Sequence, residues 1–247
     1  MELLLLALAP SLAICIFIYY KDKFNPEPKK LLVYSFLLGA ISIIPAIGLS
    51  YGIKYFFGIN HTDNAPDADQ LIYAFLAIAL SEEGAKFFFL RFYAYRKKDF
   101  DEPFDGITYA VIISMGFATV ENLLYVYDGG GLSTGIHRMF TAVPGHASFA
   151  VVMGYYVGLA KFSHKKYLQW VGLALAILLH GIYDACLFLH HYPIMVIGAL
   201  ATVLIGIFYS LRAIKIHQDN SPFRHFHDQS LEDKSTASEA DEEIKRD

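Results

Sequence analysis

Long apolar runs constrain this chain more than any other feature. They lie at 3–20, 31–57, 71–92, 104–127, 137–162, 167–190 and 193–214. A helix rising 1.5 Å per residue needs about 20 mostly apolar residues to cross the hydrocarbon core of a bilayer, whereas a core helix of a soluble domain is shorter. With 55% hydrophobic residues and a mean hydropathy of +0.39, the composition also exceeds that of a water-soluble domain. The expected fold is therefore all-α, a polytopic membrane helical bundle of about seven transmembrane helices.

Proline marks two breaks inside these runs. The second is long enough to tilt or to break near Pro45 and Gly48, and Pro144-Gly145 predicts a kink in the fifth. Loop charge sets the orientation. The first, third and fifth loops carry Lys21, Lys23, Lys29 and Lys30, then Arg96, Lys97 and Lys98, then Lys165 and Lys166, and the last run exits at Arg212 and Lys215. The alternate loops hold almost no Lys or Arg, so the basic side faces the cytoplasm, the N-terminus lies outside and the C-terminus inside. The first run lacks a basic leader and a cleavage signal, and reads as a retained span.

The chain divides into a transmembrane bundle at 1–216 and a tail at 217–247. The tail has nine acidic against four basic residues, a balance of −5 within a total of −4, which leaves the bundle near +1. It is poor in large apolar side chains and is expected to be a disordered, acidic cytoplasmic segment. Its histidines, His217, His225 and His227, are weak metal candidates. Cys15 and Cys186 both fall in apolar runs and offer neither a disulfide framework nor a thiolate metal site. Nothing points to nucleic acid as a partner; the bilayer is the partner that composition implies.

Ionisable residues inside the runs are the informative exception, because a charge at mid-bilayer costs several kcal/mol and normally faces a protein interior with a partner or a function. Glu82, Glu83, Lys86, Glu121, His146, His180 and Asp184 all fall within apolar runs. Counting 1.5 Å per residue from the outer end of each run puts Glu82 and Glu83 roughly 15 to 20 Å deep, His146 and His180 about 15 Å, and Glu121 and Asp184 about 10 Å. Four helices thus place acids and histidines in one outer-half layer. Glu82 and Lys86, Glu121 and Tyr125, and His180 and Asp184 are i, i+4 pairs that share a face. Lys86 sits deeper than the others and is expected to serve as the charge partner of Glu82. Structural salt bridges explain any single pair, but not more acids and imidazoles than one lysine neutralises. Such an excess implies a metal, bound water or titrating protons.

Two imidazoles and a carboxylate from separate helices form a ligand set for zinc with an open position for water, and a further glutamate can act as general base. The sequence has no HExxH, so a metal site must be assembled across helices. Without metal, Glu82 and Glu83 can still activate water while a histidine stabilises the oxyanion. Adjacent glutamates point about 100° apart on a helix, so one of the two takes the reacting position, with Glu82 slightly favoured as the base.

Ser81-Glu82-Glu83-Gly84-Ala85-Lys86 matches an EExxK motif. Gly116-Phe117-Ala118-Thr119-Val120-Glu121-Asn122 with Tyr125 matches GFAxxENxxY, and Leu179-His180-Gly181-Ile182-Tyr183-Asp184 matches LHxxxD. With Arg138 and His146, this order from about Gln70 to Asp184 resembles the PrsW family of intramembrane proteases, relatives of the CAAX prenyl endopeptidase group. The resemblance implies cleavage of membrane-anchored proteins near the extracytoplasmic face of a bacterial cell membrane, in some cases of an anti-sigma factor. It implies Glu82, Glu83 and His180 as catalytic, and Glu121, His146, His180 and Asp184 as metal or oxyanion partners. Lys86, Asn122, Tyr125 and Arg138 would support them, zinc would be the cofactor, and a cavity between the third to sixth runs would admit water.

Two readings of other classes compete. A proton-coupled transporter or a non-catalytic membrane scaffold accounts for buried charge, but an odd number of runs without an internal repeat disfavours a transporter. Pro144-Gly145-His146 and the HxxxD segment also look superficially like lipid phosphate phosphatase motifs. That chemistry needs an arginine ahead of the second histidine, and 173–179 is wholly apolar.

Overall fold

The computed structural model of the 247-residue chain describes residues 2–59, 62, 65–189, 191–224 and 229. Among these the fold is helical throughout, without a strand. Helices α1 (Glu2–Lys21), α2 (Lys29–Ile41) and α3 (Ile43–Phe57) come first. Then α4 (Asp67–Ile72) runs through a π-helical stretch, Tyr73–Ala79, into α5 (Leu80–Phe92). Next are α6 (Pro103–Tyr125), α7 (Gly131–Phe140), α8 (Ala142–Phe162), α9 (Leu168–Phe188) and α10 (Pro193–Asp219).

α6 is the axis of the bundle, since every residue from Phe104 to Thr119 is buried. A helix apolar on all sides belongs at the centre, and α1, α2 and α8 surround it, with α9 and α10 packed outside α8. Glycines set two of these crossings. A Cβ on Gly106, Gly154 or Gly158 would strike backbone of the facing helix across α6 and α8, and one on Gly39 or Gly116 would do so across α2 and α6. Small residues four apart let helix backbones approach closely where lipid supplies no hydrophobic drive. The outer faces are apolar instead, with Tyr55, Phe56, Ile194, Ile197, Leu204 and Phe208 all exposed.

Among the described residues five stretches are long and apolar enough to cross a membrane: Leu3–Lys21, Lys29–Phe57, Pro103–Phe162, Leu168–Phe188 and Pro193–Asp219. The chain is a multi-pass membrane protein. Seven apolar runs were expected, and the difference has a structural source. Pro103–Phe162 joins two of them, and the run carrying Glu82, Glu83 and Lys86 is not among the five.

Both proline breaks occur, slightly upstream of the prolines. α2 gives way to α3 at Ser42, and α7 to α8 at Thr141. A proline has no N–H to donate and its ring collides with the carbonyl four residues back, here Ile41 and Phe140, so the helix yields just after those residues. α10 continues past the expected boundary at 216, and His217 is buried with its ring 4.3 Å from that of Tyr155. Of the expected tail, 217–224 and 229 are described; His225, His227 and the other residues from 225 on lie outside the described residues, as does His190.

Candidate active site

α5 starts where the π-helical stretch ends, and its first turn carries both glutamates. Such stretches often accompany functional sites. The 100° between consecutive positions sends the two side chains to different places. Glu83 is wholly buried, whereas Glu82 faces a cavity and keeps 13% of its side-chain surface. Lys86 Nζ donates to Glu83 Oε1 at 2.7 Å and stays 3.7 Å from Glu82 Oε2. The expected ion pair of Lys86 with Glu82 is present at 3.7 Å, and the closer, hydrogen-bonded partner is Glu83, because the buried turn brings the i, i+3 pair into direct contact.

Glu83 Oε1 also receives His180 Nδ1, at 2.9 Å. A carboxylate only accepts, so Nδ1 carries the hydrogen and Nε2 is the ring nitrogen left for other work. Nε2 lies 3.3 Å from Asp184 Oδ2 and 3.9 Å from Glu82 Oε2. Phe149, one helical turn after His146, stacks on the His180 ring at 5.3 Å.

The second half of the site hangs on Glu121. Its Oε2 lies 2.8 Å from His146 Nε2 and 2.7 Å from Arg138 Nη2, and Arg138 Nε donates to Asn122 Oδ1 at 2.7 Å while its guanidinium covers the Tyr125 ring. Lys86 Nζ reaches His146 Nδ1 at 3.1 Å. His146 therefore links Lys86 to Glu121. Ser114 Oγ donates to the His146 carbonyl at 3.0 Å, pinning the first turn of α8 to α6.

These groups surround a cavity of about 440 Å³ lined by Glu82, Glu121, Arg138, His146, His180 and Asp184, with Tyr73, Tyr125 and Tyr183 in its wall. Every residue expected at the site from sequence is thus in or directly behind one pocket. Phe149, Tyr73 and Tyr183 were not singled out from sequence. Phe149 had a weak signal, standing three residues after His146 on the same helix.

A family model for the PrsW family of intramembrane metalloproteases matches residues 27–211. The chain belongs to the PrsW family. The match extends well beyond the 70–184 stretch that carries the motifs. "Protease PrsW" of Geobacillus kaustophilus is 39% identical over 178 residues, covering 71% of this chain and 75% of that one. "Protease PrsW" of Oceanobacillus iheyensis is 38% identical over 186 residues, covering 74% and 82%. That of Bacillus subtilis is 35% identical over 180 residues, covering 72% and 78%. No solved structure matches.

PrsW membership implies a metal ion, and the donor atoms test whether one fits. Glu82, His146 and His180 each offer a ligand atom within 4.8 Å of the others, a mixed nitrogen and oxygen set of the kind zinc takes. Glu82 Oε2 and Asp184 Oδ2 are buried without a hydrogen-bond partner, and both are close to His180 Nε2. Open, convergent donors of this type fit a metal, with His146 having to release Lys86 or Glu121 to join them. Glu121 Oε2 is already shared between Arg138 and His146, so this PrsW-family pocket presents Glu82 where Glu121 was expected among the ligands.

Proposed function

We propose that the chain is an intramembrane endopeptidase that cleaves membrane-anchored proteins near the extracytoplasmic face, with Glu82 as the general base. The observation that carries this reading is the contrast between the two adjacent glutamates. Glu82 lines the cavity and its Oε2 has no hydrogen-bond donor, whereas Glu83 is wholly buried and fixed between Lys86 and His180. A base must reach the proton it removes, and only Glu82 meets that condition.

In the proposed reaction a water between Glu82 and His180 gives its proton to Glu82 while its oxygen attacks the scissile carbonyl. Glu82 then returns that proton to the leaving amine as the C–N bond breaks. Glu83 holds the His180 ring so that Nε2 points into the pocket. Arg138, anchored by Glu121 and Asn122, supplies positive charge on the wall where an oxyanion develops. Glu82, through one of its carboxylate oxygens, would hold a zinc ion together with His146 and His180, leaving its other oxygen as the base, and the ion when bound would supply polarisation of the carbonyl and a more acidic water. Glu121 and Asp184 would orient the two histidines.

Seven spans with the N-terminus outside and the C-terminus cytoplasmic complete the proposal, α4 through α5 counting as one crossing and α7 with α8 as another. This topology follows loop charge. It sets the pocket in the outer half of the bilayer, where a site-1-type substrate such as an anti-sigma factor would present its bond. The test is reconstitution of the purified protein in vesicles with a single-span substrate. Glu82→Ala, Glu83→Ala and His180→Ala should each abolish cleavage at the membrane, and wild-type rates from all three would overturn the assignment.

A further inference from the structure

A second group of buried carboxylates lies away from the proposed protease site and has no part in its chemistry. Asp22 follows α1, Glu27 precedes α2, and Glu102 and Asp105 sit at the start of α6, all with exposures of 3% or less. Each has one oxygen held by a neutral donor. Thr108 Oγ1 donates to Asp22 Oδ2 at 3.2 Å, Tyr109 Oη to Glu27 Oε2, and Ser221 Oγ to Glu102 Oε2. The backbone N–H groups of Asp101 and Glu102 donate to Asp105 Oδ2 at 2.7 and 2.8 Å.

The other oxygens are the telling ones. Asp22 Oδ1, Glu27 Oε1 and Asp105 Oδ1 are buried with no hydrogen-bond partner. Among the described residues none of the four carboxylates enters an ion pair, and the nearby Lys161 spends its ammonium on the carbonyls of Tyr95 and Phe100 at 2.9 and 2.6 Å. Buried carboxylates are ordinarily paired or bound to metal, because unpaired they cost too much.

One carboxylate oxygen each from Asp22, Glu102 and Asp105 lies within 4.8 Å of the other two. Calcium takes six to eight oxygen ligands, several carboxylates among them, in flexible geometry, whereas magnesium keeps several waters and is held by one or two carboxylates. We propose that Asp22, Glu102 and Asp105, with Glu27 beside them, bind a hard divalent cation of calcium size that clasps the end of α1 to the start of α6. Through Ser221 the same ion reaches the segment after α10. The site owes nothing to the protease reading, since it shares no residue with the catalytic pocket.

The test uses the full chain in detergent, stripped by chelator and titrated with calcium or magnesium, with bound metal measured by equilibrium dialysis and stability by thermal unfolding. A His180→Ala background keeps the catalytic pocket from contributing. The expected result is one calcium per chain, bound more tightly than magnesium, and an unfolding temperature that rises by several degrees with calcium. Asp22→Asn and Glu102→Gln should each weaken binding at least roughly tenfold and remove the rise, while His180→Ala should keep both. Asp105 also caps α6, so Asp105→Asn is read only by metal content at a temperature where it remains folded. No binding at millimolar concentrations of either ion, tighter binding of magnesium, or calcium binding that survives both substitutions would overturn the proposal. If those variants fail to fold, terbium luminescence sensitised by Tyr109 in the His180→Ala protein decides. Emission displaced by calcium supports the site, and its absence refutes it.

Discussion

His180 Nδ1 meets Glu83 Oε1 at 2.9 Å although 97 positions separate the two residues. This contact fixes the imidazole tautomer and turns Nε2 toward Glu82 and Asp184, so in the proposed mechanism Glu83 acts as a positioning residue. Glu83→Gln keeps the shape but gives a weaker, neutral acceptor that can flip. Cleavage by reconstituted protein should lose about 10–100-fold in kcat with KM little changed, the usual cost of removing a carboxylate that orients a histidine. An effect confined to KM would contradict this role.

Glu82 should show a different separation of effects. Its Oε2 makes no hydrogen bond and meets Lys86 and His180 only at 3.7 and 3.9 Å, so Glu82→Gln removes a buried charge that is only distantly paired and should leave thermal stability unchanged or raised. Its loss as general base should cost cleavage at least ~10²-fold. Parallel unfolding and turnover measurements check both, and a variant that is both unstable and active would reverse the assignment.

Lys86 carries the opposite balance. Its ammonium neutralises the wholly buried Glu83 at 2.7 Å and rests over the Phe117 ring at 4.3 Å. Lys86→Met strands Glu83 as an unpaired buried charge and should destabilise the protein by about 3–5 kcal/mol, read by unfolding in detergent. The double variant Glu83→Leu with Lys86→Met should recover most of that stability without recovering cleavage. If the double variant is as unstable as the single one, the pair is not the cause.

Much of this pocket was legible in the sequence because intramembrane charge is costly and helical spacing is regular. Glu82, Glu121, His146, His180 and Asp184 stand out against apolar runs, and depth counting placed them in one layer that the fold brings together. Choice of partner was not legible. Whether Lys86 answers Glu82 or Glu83 depends on which face of α5 is buried, and Glu121 is taken up by Arg138 only because α7 folds back after the break at Asp128 and Gly129. The cluster of Asp22, Glu27, Glu102 and Asp105 went unnoticed for a related reason. In sequence these residues look like ordinary solvated loop acids beside basic residues, and only the packing of α1 against α6 buries them.

The α6–α8 crossing that supports both sites gives a stability prediction. Gly154 faces the Gly106 carbonyl so closely that any Cβ collides with backbone, which cannot move aside like a flexible side chain. Gly154→Leu should therefore yield little monodisperse protein on size exclusion. Gly48→Leu, with open space around its Cα, should behave like the parent chain.

Metal removal separates the two forms of the proposed mechanism. Glu82, His146 and His180 offer one ligand atom each within 4.8 Å, and Glu83 already offsets the charge of Lys86, so a zinc ion would meet net negative surroundings. Purified active protein should contain about one zinc per chain by elemental analysis, and chelation should abolish cleavage until zinc is restored. His180→Ala and His146→Ala should each lower that zinc content, whereas Glu83→Gln should lower it less because Glu83 acts through His180. Full cleavage after complete zinc removal would leave Glu82 to activate water alone, with Arg138 and His180 as the remaining positive and donor groups facing the oxyanion. In that case His146 keeps its contacts to Lys86 and Glu121, and His146→Ala should reduce turnover through the displacement of Glu121 and Arg138 rather than through loss of a ligand.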